Sequence, residues 1–323
     1  MKKRIIALVY GGDSSEVEIS IKSGKHMAMH IDRERYELYE VMICGKDWRV
    51  MLDGGGTADI DKSDFSFVIQ DGHRRVSFDK VLIMIHGTPG ENGLLQAYFE
   101  MVGVRFTSCS AVVSAITFDK YACKCYIRDT GVKLPRECFL RRGSVYSTAE
   151  IIEKLGLPLF VKPNSGGSSF GVAKVKREED LERAIEMAFM EDKSVLIEEF
   201  IDGREVTNGV YKNGGEFVEL PVTEIISDNE FFDYDAKYLG ASKEICPAGI
   251  DKEISDRVKS ISQQLYEYLG CRGVVRFDYI LKGEDIYFLE VNTVPGMTEM
   301  SLVPQQIRVA GMTIKEFLSQ LIG

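Results

Sequence analysis

The segment Gly273–Met297 reads GVVRFDYILKGEDIYFLEVNTVPGM, and its strand patterns carry a guanidinium (Arg276), two carboxylates (Asp278, Glu290) and an amide (Asn292) at alternating positions. Two strand patterns, VVRFDYIL and DIYFLEVN, flank Lys282-Gly283-Glu284, and a loop at Gly283–Asp285 has an ordinary hairpin length. Counting outward from that loop, Asp278 faces Glu290 and Arg276 faces Asn292. Strand side chains alternate between faces, so these four crowd one face while Phe277, Tyr279 and Val291 take the other. A solvated polar face is the ordinary alternative. Two carboxylates directly opposite each other repel, and a divalent cation removes that cost. Asp278, Glu290 and Asn292 offer the hard oxygen ligands that Mg²⁺ takes. Arg276 beside them suits a developing anion.

A second stretch, Phe160–Val172 (FVKPNSGGSSFGV), contains Gly167-Ser168-Ser169-Phe170-Gly171, which fits the G-x-S-x-G nucleophile elbow. A nucleophilic Ser169 needs a histidine base. The four histidines, His26, His30, His73 and His86, all precede it, whereas the α/β-hydrolase order puts the histidine last. A triad through His86 in another chain order stays open. The same stretch also reads as a strand carrying Lys162, followed by a Gly/Ser loop whose N–H groups could close on phosphate. There is no G-x-x-x-x-G-K-[ST], and no G-x-G-x-x-G follows the first strand. What remains is a nucleotide site built from Lys162, a flexible loop and a distant Mg²⁺ hairpin.

These groups need a scaffold. With 323 residues, 45% hydrophobic and 28% charged, the chain has globular composition and length for two or three domains. A net charge of −10 argues against nucleic acid as the main partner. No apolar run approaches the ~20 residues of a membrane span. The opening MKKRIIALVYGG reads as a strand rather than a signal peptide. Seven cysteines without paired spacing predict free thiols in a cytoplasmic protein. The order strand, glycine turn, helix, strand predicts a parallel sheet with covering helices, and Ser15 with Glu18 predicts a capping box for the first helix. The Gly/Asp-rich insert from Gly45 to Phe78 predicts short antiparallel strands. Helix is predicted from Ser108 to Thr130, near Glu178–Met190, over Ile254–Leu269 (stopped by Gly270) and from Thr313. Boundaries near Phe106 and Gly203 give domains 1–106, 107–203 and 204–323.

KPNSGGSSFGV, VLIEEFIDGREVT, DYDAKYL, RFDYIL and EVNTVPGMT occur in the order and spacing of ATP-grasp ligases. With GGDSSEVEIS near the start and HGTPGENGLLQ at His86, the chain resembles the D-alanine–D-alanine ligases of that family, from about Arg4 to about Gly311. The resemblance implies an α/β fold, ATP-grasp, of three α/β domains with ATP bound between the central and C-terminal ones. It implies ATP-dependent joining of two D-alanines through an acyl phosphate, for peptidoglycan precursor synthesis, by a cytoplasmic homodimer with two Mg²⁺ ions (or Mn²⁺). Carried over, Lys120 and Lys162 bind phosphates and Lys237 touches the γ-phosphate. Ser169 lies in the phosphate lid. Glu198, Glu199, Phe200 and Ile201 form the strand edge for adenine, and Glu205 holds the ribose. Asp278, Glu290 and Asn292 hold the metal. Glu16 receives the ammonium of the first D-alanine, with His86 nearby. Arg276 and Gly296 form the oxyanion site, Ser301 and Leu302 receive the second carboxylate, and Ser168 and Tyr238 couple the lids to Glu16. The loop with Tyr238 implies a dipeptide rather than a D-lactate ester. Asn164-Ser165-Gly166, Phe232 and Glu199 depart from common family residues and bear on lid motion or adenine affinity. Two other functions stand beside this one: another ATP-grasp carboxylate–amine ligase, and an ATP-binding regulatory protein, which predicts lost metal ligands.

Overall fold

A computed structural model describes residues 3–69, 74–167, 171–227 and 242–323. His73, Ser168, Ser169, Phe232, Lys237 and Tyr238 lie outside the described residues.

The N-terminal sheet is built on β1 (Arg4–Gly11), whose apolar run RIIALVYG is buried almost throughout. It pairs in parallel with β2 (Tyr36–Cys44) and β7 (Lys80–Ile83), and β3 (Asp47–Met51) and β4 (Thr57–Asp59) extend the β2 edge antiparallel. β5 (Ser66–Val68) and β6 (Arg75–Ser77) make a small separate ribbon. Helix α1 (Val17–His30) returns over the sheet. Its N-cap is Glu16, with no side-chain cap, so the predicted Ser15–Glu18 box does not form. Gly24 lets α1 lie against β1: a Cβ there would collide with Tyr10 Cδ1 and fall 2.7 Å from its Cγ and 2.8 Å from its Cβ. Gly24→Ala is therefore expected to destabilise the protein by about 1–3 kcal/mol despite the better helix propensity of alanine, read as a fall in melting temperature.

Helix α2 (Leu94–Met101) leads to α3 (Ala111–Phe118) and α4 (Lys120–Ile127). The continuous helix predicted over 108–130 breaks at Asp119, because Ser110 and Asp119 each cap a helix: their side chains accept from Val113 N–H and Ala122 N–H. The second sheet is antiparallel, ordered β10 (Ala173–Val175), β9 (Leu159–Pro163), β11 (Ser194–Glu199), β8 (Glu137–Arg141). It is backed by α5 (Thr148–Leu155) and α6 (Leu181–Glu191).

The third sheet runs β15 (Ser242–Ile245), β14 (Thr223–Ser227), β12 (Arg204–Asn213), β16 (Val275–Lys282), β17 (Asp285–Asn292), with β13 (Glu216–Glu219) on the far half of β12. Helix α7 (Lys252–Leu269) ends at left-handed Gly270, and its core also takes in Cys109, Cys123, Ile127 and Val132. Residues 109–132 thus pack with the third sheet. Helices α8 (Leu302–Val309) and α9 (Ile314–Ile322, opened by a Thr313–Glu316 capping box) share a core with Leu8, Tyr10 and Met27 of the N-terminal unit. Buried Gln306 of α8 fixes that helix to the sheet, accepting from Gly209 N–H and donating to Thr207 O and Thr223 Oγ1 at 3.1 Å each. Among the described residues, no helix is long and apolar enough to cross a membrane.

Candidate active site

The β16–β17 hairpin has the expected pairing where it matters: Arg276 lies opposite Asn292 and Asp278 opposite Glu290. The turn differs. Lys282 pairs with Asp285, so the loop is the two residues Gly283-Glu284, and a register shift between Asp278 and Tyr279 restores the counted pairing at the site. The extra residue is Leu289, since Tyr279 pairs with Phe288. Phe277, Tyr279 and Val291 turn into the core.

The repulsion between the facing carboxylates is relieved by side chains. Arg276 grips Asp278 in a fork, Nε to Oδ1 at 2.9 Å and Nη2 to Oδ2 at 2.7 Å. Thr207 Oγ1 donates to Oδ1 at 2.6 Å and Asn292 Nδ2 to Oδ2 at 3.1 Å. Lys120 Nζ stands 3.4 Å from Glu290 Oε2. Two carboxylates and an amide oxygen on one face fit a hard divalent cation once the Asn292 amide is turned. Arg276 and Lys120 already supply positive charge, so the facing carboxylates do not need a cation to lie side by side.

Two cavities meet here. One, about 960 Å³, is lined by Lys120, Lys162, Glu198–Ile201, Glu205 and Asp278. The other, about 510 Å³, is lined by Glu16, His86, Arg276, Asn292, Gly296, Ser301 and Leu302. Glu16, Lys120, Gly167 and Glu290 border both. The described residues expected to serve nucleotide and amino acids therefore line two adjoining spaces that share part of their walls.

In the larger cavity, Glu198 is buried and bridges two lysines, with Oε2 2.7 Å from Lys162 Nζ and Oε1 bonded to Lys124 Nζ. Lys124 is fully buried on α4, one turn after Lys120. Burial pushes its ammonium down to about 8, and burial with the neighbouring lysines pushes Lys162 well down. Glu198 also pairs across strands with Glu137; Lys124, and Arg128 at 2.9 Å from Glu137, offset the repulsion that this pairing creates. The strand edge expected to take adenine is already partly occupied. Glu199 binds Arg136, whose N–H and Nε lie 2.8 and 2.7 Å away, and the Glu199 and Phe200 N–H groups go to Arg136 O and Pro158 O. Lys174 Nζ stands 3.7 Å over the Phe200 ring. Asn164, one of the departures, is buried and accepts from Tyr121 N–H at 2.9 Å, while its carbonyl takes the Lys120 N–H. Lys120 Nζ in turn donates to Gly166 O at 2.7 Å, so the base of the Gly/Ser loop is tied to α4.

In the smaller cavity, Glu16 sits where α1 begins, and a Cβ on Gly167 would lie 2.7 Å from its carboxylate. The loop after Lys162 thus closes onto Glu16 with no room for a side chain. His86 is buried, with Nδ1 2.8 Å from Val294 O and Nε2 3.1 Å from Ser23 Oγ. Both ring nitrogens are engaged, which counts against His86 as the base of a serine triad. Ser301 Oγ accepts from Thr298 N–H at 3.0 Å and pairs with Thr298 Oγ1 at 2.7 Å.

The family model described as D-ala D-ala ligase N-terminus matches residues 5–109, and that described as D-ala D-ala ligase C-terminus matches residues 128–323. The chain belongs to the D-alanine–D-alanine ligase family. It is 48% identical over 321 residues to a D-alanine–D-alanine ligase of Phocaeicola vulgatus, covering 99% of this chain and 98% of that one. Among solved structures, the VanG D-Ala:D-Ser ligase of Enterococcus faecalis superposes with a TM-score of 0.89 at 31% identity, covering 100% and 99% of the two chains. The D-alanine–D-alanine ligase of Bacillus anthracis complexed with ATP gives 0.79 at 30%, covering 99% and 96%. The fold is ATP-grasp.

Lys124, Glu91, Ser23 and Glu244 stand in or behind the site without a sequence signal that marked them. Glu91 accepts from Gly87 N–H at 2.8 Å and Val294 N–H at 3.4 Å, joining the His86 loop to the turn after β17. Burial, then the Glu16 carboxylate, push its carboxyl up to about 8. The folded protein therefore keeps a proton that the unfolded chain releases near 4.5, and stability falls as pH rises across that interval. Glu91→Gln is expected to flatten this loss: its melting temperature changes less than wild type between about pH 5 and about pH 8.5.

Proposed function

We infer that this protein joins two D-alanines to D-alanyl-D-alanine with cleavage of ATP to ADP and phosphate, for peptidoglycan precursor synthesis. The observation that carries the reading is the junction of the two cavities at Glu16, Lys120 and Glu290. A phosphoryl group held by lysines on one side there meets an amino-acid carboxylate held on the other.

Lys120 and Lys162 take the ATP phosphates, Glu198 to Ile201 the adenine, and Glu205 the ribose. Asp278, Glu290 and Asn292 would hold Mg²⁺, or Mn²⁺, which when bound neutralises phosphate charge. Glu16 receives the ammonium of the first D-alanine. The carboxylate of that D-alanine attacks the γ-phosphorus, the bond to the ADP oxygen breaks and ADP leaves, and an acyl phosphate forms. Ser301 and Leu302, at the N-terminus of α8, receive the second carboxylate. The second amine then adds to the acyl carbon, Arg276 and the Gly296 N–H stabilise the oxyanion, and phosphate leaves. Positioning and charge stabilisation carry the catalysis, and loop closure against Glu16 keeps water from the acyl phosphate. We further propose a cytoplasmic homodimer.

Purified protein given ATP, Mg²⁺ and D-alanine is expected to release one phosphate per dipeptide formed. With D-alanine first, D-alanine is expected to outcompete D-serine and D-lactate as second substrate at neutral pH. No phosphate release, or a preference for D-lactate, would overturn the assignment. Release only with other amino-acid pairs would favour a different carboxylate–amine ligase.

A further inference from the structure

Helix α1 is fastened on two sides. Toward the N-terminal sheet, Ser20 Oγ accepts from Gly11 N–H and donates to Met84 O, both at 2.8 Å. Toward the turn after β17, two side chains of α1 hold the backbone of one residue. Met297 N–H donates to Ser23 Oγ at 3.1 Å, and His26 Nδ1 lies 2.7 Å from Met297 O. Ser23, His26 and His86 are all buried.

The partners fix the direction of every bond. A carbonyl only accepts, so His26 Nδ1 carries a proton toward Met297 O and His86 Nδ1 carries one toward Val294 O. Burial disfavours the charged form of His86, and in the neutral ring Nε2 is an acceptor. Ser23 therefore donates its hydroxyl proton to His86 Nε2, which leaves its oxygen to accept Met297 N–H. The chain Met297 N–H, Ser23 Oγ–H, His86 Nε2 is consistent throughout, and the turn is held at Val294 and at both polar groups of Met297. Gly296 lies between these anchors.

We propose that Ser23 and His26 are positioning residues for the second amino acid. They clamp the Gly296–Ser301 segment to the helix whose N-cap, Glu16, faces the first amino acid, so one rigid element sets the spacing of both subsites. This rests on the ligase reading. An oxyanion donor works only within a few tenths of an ångström of its place, and a drift of about 1 Å can cost about 100-fold. The nucleotide cavity has no wall on residues 17–30, so the defect belongs to the amino-acid side.

The test is phosphate release against D-alanine at saturating ATP and Mg²⁺, fitted with separate constants for the two D-alanines, and against ATP at saturating D-alanine. His26→Leu is expected to lower kcat/KM for the second D-alanine by about 30-fold or more. The constants for ATP and the first D-alanine should stay within about threefold. Ser23→Ala moves the same constant. His26→Asn, whose Nδ2 occupies the place of imidazole Nδ1, is expected to recover most of the loss, and His26→Gln, with its amide one carbon further out, is not. If His26→Leu does not fold, the Asn–Gln comparison decides alone. Equal loss in all three constants, no loss, or equal behaviour of Asn and Gln overturns the proposal. A wild-type protein inactive with D-alanine overturns the ligase reading instead.

Discussion

Asp278→Asn is expected to lower turnover by about 10³ while costing the fold only about 1–3 kcal/mol. The carboxylate accepts four hydrogen bonds, two of them from the Arg276 fork. Asparagine keeps one acceptor and turns the other into a donor, which then faces a guanidinium N–H or the Asn292 amide. On the proposed reading two functions are lost together: a charged oxygen ligand for Mg²⁺ and the orientation of Arg276. Oxyanion stabilisers alone are worth about 10²–10³ in kcat, so the combined loss reaches the upper end. The two contributions separate in a Mg²⁺ titration. Raising Mg²⁺ is expected to restore part of the turnover of Asp278→Asn. Arg276→Lys, which cannot form the fork, is expected to lose turnover that no Mg²⁺ concentration restores. Near-normal turnover of Asp278→Asn would remove the metal assignment.

What the sequence made legible follows the range of each interaction. Strand alternation placed Arg276, Asp278, Glu290 and Asn292 on one face, and the structure agrees. That agreement passed through two local errors that cancel, a shorter turn and a bulge at Leu289, neither of which has a mark in the one-dimensional pattern. Thr313 and Glu316 announced their helix because a capping box is a contact between residues three apart. Ser15 and Glu18 have the same spacing and form none, because the helix begins one residue later, with Glu16 as its N-cap, so Glu18 is not at the third helical position that the box requires. Asp119 broke a helix that looked continuous, and a residue that caps one helix while ending another leaves the apolar periodicity intact. Long-range placements were out of reach from composition or spacing: Ser23 meets Met297 across 274 residues, and Lys124 meets Glu198 across 74. Lys124 looks like any helix lysine until the fold buries it.

That burial makes Glu198 the second site of large effect. Glu198→Gln removes the shared counter-charge of Lys124 and Lys162 and leaves the fully buried Lys124 ammonium facing the Lys162 ammonium at the cavity wall. Breaking a buried pair in this way costs about 3–5 kcal/mol, a fall of roughly 6–15 °C in melting temperature at neutral pH. The opposite deletion is milder. Lys124→Met removes a charge that burial already opposes and leaves Glu198 matched one to one with Lys162, so its cost is expected below about 2 kcal/mol. The pH dependence has a definite sign. A lysine whose folded pKa is lowered binds fewer protons folded than unfolded in the interval up to its ordinary 10.5. Stability therefore rises with pH there. Without Glu198 both lysines drop further and the interval widens, so the deficit of Glu198→Gln is expected to shrink between about pH 7 and about pH 9.5. Thermal melts of the two variants across that range decide the matter. A Glu198→Gln protein that melts like wild type at pH 7, or a Lys124→Met protein less stable than Glu198→Gln, would mean that Lys124 is held by something other than the Glu198 charge.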